Sequence, residues 1–108
     1  MNYKVSTIPV FDKRAKRLAK KYSSFQKDLS NLSASLVNDP EQGVFLGNGF
    51  YKIRFAITSK GKGKSGGARI ITYVKVKDTM VYLAYIYDKS DKENISDKEL
   101  EAIFNLIP

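Results

Sequence analysis

The hydrophobic periodicity of this chain changes near Gly43. More than any other feature of the sequence, that change restricts the folds that the chain can adopt. Before Gly43, apolar side chains recur every three or four residues, as in amphipathic helices. They fall into two groups: Phe11, Ala15, Leu18 and Tyr22, then Phe25, Leu29, Leu32 and Leu36. After Gly43, apolar and polar residues alternate from Phe50 to Ile57, as in a strand with one buried face. The sequence therefore predicts a helical part followed by a β part.

The helical part carries start and stop signals. Pro9 suits the first turn of the first helix. Ser23 with Gln26 three residues later matches a capping box for the second helix, which Asn38-Asp39-Pro40 would end. Two short helices joined at residues 22–24 form a helical hairpin. A short strand is predicted before it, over residues 3–6.

The β part predicts three strands. In the strand over residues 50–57, Lys52 and Arg54 occupy the polar face. The next strand covers residues 69–77, with Ile70, Thr72, Val74 and Val76 on one face. A turn over residues 77–80 leads to a strand over residues 81–87, whose two apolar faces suit a central position.

The C-terminal helix has the clearest signals. Ser96 and Glu99 form a capping box, and Ile95 and Leu100 form a hydrophobic staple. The predicted order of elements is β-α-α-β-β-β-α, which is an α+β fold. With 108 residues and no linker, residues 1–108 are expected to form a single domain.

The net charge of +8 is unevenly distributed. Residues 42–77 contain eight Lys or Arg and no acid, whereas residues 88–101 contain three lysines and six acids. An acid-free basic segment indicates a polyanionic partner, foremost a nucleic acid. A second basic cluster, over residues 12–28, is equally compatible with a solvated surface.

Several classes of function are excluded by composition. The chain has no cysteine, which excludes disulfides and thiolate metal sites, and no histidine, the usual general base. Any catalysis must use Lys, Arg, Tyr, Asp, Glu, Ser or Thr. No apolar run approaches about 18 residues and no signal-peptide pattern is present, so we expect a soluble, cytoplasmic protein.

The glycine–lysine loop over residues 59–67 allows three interpretations. A nucleotide-binding P-loop needs a glycine where Thr58 stands and a helix after the loop, but a strand follows. If the flanking strands pair as a hairpin, six cations gather at one end and one face of a sheet: Lys52, Arg54, Lys60, Lys62, Lys64 and Arg69. The glycines would let the backbone approach phosphates. The loop thus predicts a binding site for a nucleic-acid backbone. The alternative is that the loop is a flexible linker.

These residues resemble the RelE/ParE toxin superfamily, and most closely its HigB-type members. The resemblance covers nearly the whole chain and rests on Tyr51-Lys52-Ile53-Arg54, the loop over residues 59–67, Ala68-Arg69-Ile70-Ile71 and Tyr85-Ile86-Tyr87-Asp88-Lys89. It implies a small twisted antiparallel sheet, with the N-terminal helical hairpin packed on it and a C-terminal helix.

The resemblance also implies a function. Such toxins of type II toxin–antitoxin systems cleave mRNA in the ribosomal A site, where they contact 16S rRNA, without metal or cofactor. The RNA 2′-hydroxyl attacks the adjacent phosphate and leaves a 2′,3′-cyclic phosphate. The implied partner is a helix-turn-helix antitoxin of the HigA type, through which operator DNA would be bound; no membrane partner is implied.

The resemblance assigns roles by position. The resemblance implies catalytic roles for Arg69, beside the scissile phosphate, and for the paired strand cations Lys52 and Arg54. Tyr87 is added to the predicted catalytic residues as a substitute for a family tyrosine. The resemblance places a second cationic site at Lys89. The other predicted nucleic-acid-binding residues are Lys60, Lys62, Lys64, Lys75 and Lys92. The family's C-terminal tyrosine has no counterpart in residues 92–96. For the general base, Tyr87, Lys52 and Glu93 are the candidates, in that order.

Two other functions stay open. A ParE-like toxin would poison DNA gyrase without cutting RNA, but such members usually lack a dense cationic cluster. A non-catalytic RNA-binding module, or a DNA-binding corepressor that depends on an antitoxin, would use the same basic surface for binding alone.

Overall fold

The residues that the structure describes form three helices and one five-stranded sheet. A computed structural model describes residues 2–61, 63, 66–92 and 94–108. Its elements are β1 (Lys4–Thr7), α1 (Pro9–Lys21), α2 (Phe25–Asn38), β2 (Val44–Gly47), β3 (Phe50–Phe55), β4 (Ala68–Lys75), β5 (Met80–Asp88) and α3 (Asp97–Phe104). Short 3-10 turns cover Thr58–Lys60 and Val76–Asp78.

The sheet confirms the α+β class and differs from the prediction in two details. Its strand order is β1-β5-β4-β3-β2, with β1 parallel to β5 and the other neighbours antiparallel. The sheet is therefore mixed rather than wholly antiparallel. Strand β2 was not predicted, because four residues are too few to show a clear alternation. The β2–β3 turn is tight, with positive φ at Asn48 and Gly49.

The helical hairpin is confirmed, but one of its predicted caps is wrong. Helix α1 begins at Pro9 and α2 ends at Asn38. The residue before α2 is Ser24, not Ser23, and it makes no side-chain cap hydrogen bond. Its hydroxyl instead donates to Asp28 (2.8 Å), whose carboxylate also accepts the backbone N–H of Thr58 (2.8 Å). The start of α2 is therefore tied to the turn after β3.

The helices cover opposite faces of the sheet. Phe25 of α2 contacts Phe55 of β3 edge to face, with ring centroids 5.8 Å apart. Phe104 of α3 contacts Phe50 (6.3 Å) and Tyr73 (5.7 Å). Residues 50 and 55 are an odd number of positions apart, so their side chains point to opposite faces. The hairpin packs on one face, and α3 covers part of the other.

Strand β4 ends earlier than predicted, and both of its faces are buried in the middle. It stops at Lys75, so Val76 lies in a turn with its side chain 66% exposed. Ile70 and Ile71, on opposite faces, are both fully buried, because helices lie on both sides of the sheet. The capping box of α3 forms as predicted between Ser96 and Glu99. No helix in the described ranges is long and apolar enough to cross a membrane.

Candidate functional site

The four predicted catalytic residues lie on one face of the sheet. The pairing register places Arg54 of β3 opposite Arg69 of β4, and Arg69 opposite Tyr87 of β5. Directly opposed residues share a face, so these three side chains form a row across the sheet. Lys52 lies two residues before Arg54 and therefore on the same face. Phe50 also shares this face, which is the one covered in part by α3.

The three cations on this face, Lys52, Arg54 and Arg69, differ in exposure. Arg54 is exposed, and Lys52 is half-buried, with its ammonium donating to the side-chain oxygen of Asn94 at 3.2 Å. Arg69 is 6% exposed, and one of its guanidinium nitrogens donates to the Ala68 carbonyl at 3.1 Å. Its burial was not predicted from the sequence. The row therefore runs from solvent at Arg54 into the interior at Arg69.

Tyr87, the first candidate for the general base, is buried. It is 1% exposed, and its hydroxyl has no hydrogen-bond partner among the described residues. Burial raises the pKa of Tyr87, although the nearby charges of Arg69 and Lys92 act in the opposite direction. A phenol must lose its proton before it can serve as a base, and a raised pKa makes that harder. The structure thus disfavours the prediction that Tyr87 is the base. Glu93, the third candidate, lies outside the described residues.

Lys60 lies away from the row. Its ammonium is 2.6 Å from a carboxylate oxygen of Asp88, and the two side chains are only 10% and 1% exposed. Asp88 follows Tyr87 in β5, so its side chain points to the opposite face, toward the helical hairpin. Phosphate binding by Lys60 stays a prediction. In the structure, the charge of its ammonium is paired with the Asp88 carboxylate. Lys62 and Lys64 lie outside the described residues.

The remaining predicted nucleic-acid contacts divide into two groups. Lys89 is exposed just beyond β5, and Lys92 forms an ion pair with Glu99 near Tyr87. Lys75 pairs with Asp78 (3.2 Å) at the far end of β4, six residues from Arg69. At about 3.3 Å per residue, that separation is roughly 20 Å. Lys89 and Lys92 flank the row, whereas Lys75 does not.

Three polar residues that hold cations around this site were not predicted from the sequence. Asn94 holds Lys52, Asp88 holds Lys60, and Glu99 holds Lys92. The hydrogen bond from Lys92 and the backbone N–H of Ser96 lower the pKa of Glu99 to about 2. A signal existed for Asp88, since an aspartate that ends a strand two residues before a serine is typical of an anchored turn. Among the described residues, no group of three acids is arranged to hold a metal ion.

Acid should weaken the fold through Asp88. Burial raises the pKa of this carboxyl, but the ion pair with Lys60 and the hydrogen bonds from Ser90 outweigh it and hold the pKa well below 3.8. Because the folded-state pKa is lowered, the stabilisation is complete above the unfolded value and is lost as pH falls below it. Thermal unfolding between about pH 6 and about pH 2.5 should show this loss. In Asp88→Asn, the stability difference from wild type should shrink toward low pH; a difference independent of pH would contradict the assignment.

Comparisons with known proteins identify a family and a shared fold. The family described as RelE toxin of the RelE/RelB toxin–antitoxin system matches residues 9–106. The isolated Escherichia coli RelE toxin is similar with a TM-score of 0.61 and 16% identity, over 99% of this chain and 100% of that chain. A double arginine-to-alanine variant of E. coli RelE in the free state gives 0.57 and 14%, over 98% and 94%. At such low identity, the solved structures show a shared fold.

Proposed function

The chain belongs to the RelE toxin family, and we propose that it is the toxin of a type II toxin–antitoxin pair that cleaves mRNA on the ribosome. The observation that carries this proposal is the cross-strand row of Arg54 and Arg69, with Lys52 on the same face. Three cations on adjacent strands of a rigid sheet are suited to a phosphodiester whose negative charge increases during reaction.

The proposed reaction is an internal transfer within the RNA. The 2′-oxygen forms a bond to the adjacent phosphorus, and the bond from phosphorus to the 5′-oxygen of the next nucleotide breaks. The products are a 2′,3′-cyclic phosphate and a 5′-hydroxyl. Arg69 and Arg54 would donate hydrogen bonds to the non-bridging oxygens, where charge accumulates. In this proposal no metal ion or cofactor takes part.

Proton transfer from the 2′-hydroxyl needs a separate group. Of the two described candidates, Tyr87 is buried with a raised pKa, whereas Lys52 is half-buried on the same face as Arg54. Lys52 is hydrogen-bonded to Asn94, which would orient its ammonium over the sheet. We therefore assign proton transfer to Lys52 rather than to Tyr87. In its neutral form, the Lys52 amine would accept the proton of the 2′-hydroxyl, and the ammonium so formed would pass that proton to the leaving 5′-oxygen.

A non-catalytic RNA-binding module is the second candidate function. The burial of Arg69 favours it, since a phosphate must come within hydrogen-bond distance of the guanidinium for catalysis. Exposed Arg54, Lys89 and the other surface lysines would suffice for binding alone. Nothing in the described structure specifically favours a ParE-like gyrase inhibitor.

The proposed partners follow from the family and the charge. The toxin would act in the cytoplasm on ribosome-bound mRNA and contact 16S rRNA through its basic surface. A neighbouring gene would encode the antitoxin, a helix-turn-helix protein of the HigA type. The antitoxin would cover the cationic face with an acidic segment and would carry the pair to operator DNA.

Induced expression with mapping of mRNA ends tests the function. We expect growth arrest and new mRNA ends within translated regions, both abolished by co-expression of the neighbouring antitoxin. The complex of the two proteins should co-purify. Arrest without new mRNA ends would contradict cleavage and favour the RNA-binding module. If no neighbouring product restores growth, the assignment to a toxin–antitoxin pair is wrong.

A further inference from the structure

Asp88 is a buried carboxylate that joins three segments, and no step of the proposed reaction uses it. One oxygen accepts from the Lys60 ammonium (2.6 Å) and from the backbone N–H (3.0 Å) and hydroxyl (2.8 Å) of Ser90. The other oxygen accepts from the Tyr22 hydroxyl at 3.1 Å. The carboxylate thus connects the turn after β3, the segment after β5 and the end of the first helix.

The backbone of Asp88 strengthens the same junction. Its carbonyl accepts from the N–H groups of Asp91 (3.0 Å) and Lys92 (3.1 Å), which turns the chain back after β5. The N–H of Lys89 donates to the Gly67 carbonyl at 3.3 Å, on the segment that leads into β4. Two cationic segments therefore meet at one residue: the loop that begins at Lys60, and the connection that carries Lys89 and Lys92.

The buried ion pair of Lys60 and Asp88 contributes to geometry as well as to stability. A buried ion pair is often no more stabilising than well-packed apolar side chains of similar volume. Its directional hydrogen bonds, however, hold each partner in one position. The preceding residue, Tyr87, lies opposite Arg69, so Asp88 is only one residue from the catalytic row. A shift at Asp88 would be passed directly to that row.

We propose that Asp88 is a positioning residue for RNA cleavage, which fixes the two flanking cationic segments relative to the row of Arg54, Arg69 and Tyr87. This inference rests on the proposed function. It assigns a contribution to RNA cleavage to an acidic side chain that faces away from the RNA. Simple electrostatics predicts the opposite, since removing an acid from a basic surface favours binding to a polyanion.

The test compares Asp88→Asn with Asp91→Asn. Both substitutions remove one negative charge from the same stretch, but Asp91 is exposed and its carboxylate accepts no hydrogen bond from the described residues. In single-turnover cleavage of mRNA on saturating programmed ribosomes, Asp88→Asn should be slower by about 10-fold or more, since small misplacements are costly in rate. Asp91→Asn should cleave at least as fast as wild type.

A second variant keeps the test decisive if Asp88→Asn does not fold. Lys60→Gln removes the ion pair and leaves the hydrogen bonds from Ser90 and Tyr22 in place. We expect slower cleavage and an unchanged slope of log RNA affinity against log salt concentration, because Lys60 would anchor the loop rather than neutralise a phosphate. A slope lower by about one would show that Lys60 contacts the RNA, and would overturn the inference.

Hydrogen exchange separates this inference from the proposed function. In folded Asp88→Asn, the amides of Ser90, Asp91 and Lys92 should exchange faster than in Asp91→Asn. If wild type cleaves mRNA and Asp88→Asn matches Asp91→Asn in both rate and exchange, the positioning role is wrong. If wild type itself does not cleave, the proposed function fails, and the positioning role of Asp88 in cleavage fails with it.

Discussion

Replacing Arg69 by alanine should slow mRNA cleavage on programmed ribosomes by about 100-fold or more. The side chain lies between Arg54 and Tyr87 in the row, where it would donate to the phosphate oxygens in the transition state. Arg69→Lys should recover only part of the rate, because lysine lacks the planar pair of donors. The measurement is single-turnover cleavage, with ribosome binding determined in parallel.

Because Arg69 is buried, Arg69→Ala can change folding as well as cleavage. The sequence suggests that the apolar neighbours of Arg69 carry the core, yet the side chain itself is 6% exposed. Thermal unfolding of Arg69→Ala is therefore part of the measurement. Lys75→Gln is a matched control, since it removes one cation from the far end of the same strand. Cleavage that falls only in proportion to binding would make Arg69 a docking residue, and full cleavage by a folded alanine variant would refute the mechanism.

The elements that the sequence predicts well are those with a strong local signal. Regular apolar spacing located α1 and α2, and alternation located β3 and its two cations. The capping box at Ser96 located the start of α3. Each of these signals is local, because capping boxes and periodic patterns involve residues that are close together in the sequence. The hairpin of β3 and β4 followed from the same signals and placed Lys52, Arg54 and Arg69 together.

The features that were missed depend on distant parts of the chain. The parallel pairing of β1 with β5 joins residues more than 70 positions apart, and no local pattern encodes it. The ion pair of Lys60 and Asp88 joins residues 28 positions apart on different segments. A lysine in a glycine-rich loop has the same local sequence whether its ammonium faces solvent or a buried carboxylate. The position of Lys60 therefore required the structure.

One glycine of the loop, Gly67, also depends on a contact with a distant part of the chain, which the local sequence does not reveal. The loop glycines were interpreted as a means for the backbone to approach phosphates, but Gly67 has another requirement. A Cβ atom at this position would lie 2.2 Å from the Phe55 carbonyl oxygen of the neighbouring strand. Both groups belong to backbones at the end of a β hairpin, so no side-chain rotation can relieve the contact. Gly67 is needed for β3 and β4 to come together just before Arg69.

Gly67→Ala should therefore destabilise the fold by about 3 kcal/mol, near the upper end for overpacking, because a strand backbone must move. Gly61→Ala is the matched control: nothing lies within 4 Å of its added Cβ, and only its φ of +73° opposes alanine. That conformational cost is about 1 kcal/mol. Urea unfolding of both variants gives the comparison.

Because the strain falls two residues from Arg69, Gly67→Ala should also lower the cleavage rate of the molecules that remain folded. Equal destabilisation by the two substitutions would show that the strand backbones accommodate the added Cβ atom at no extra cost. Gly67 would then not determine the distance between β3 and β4.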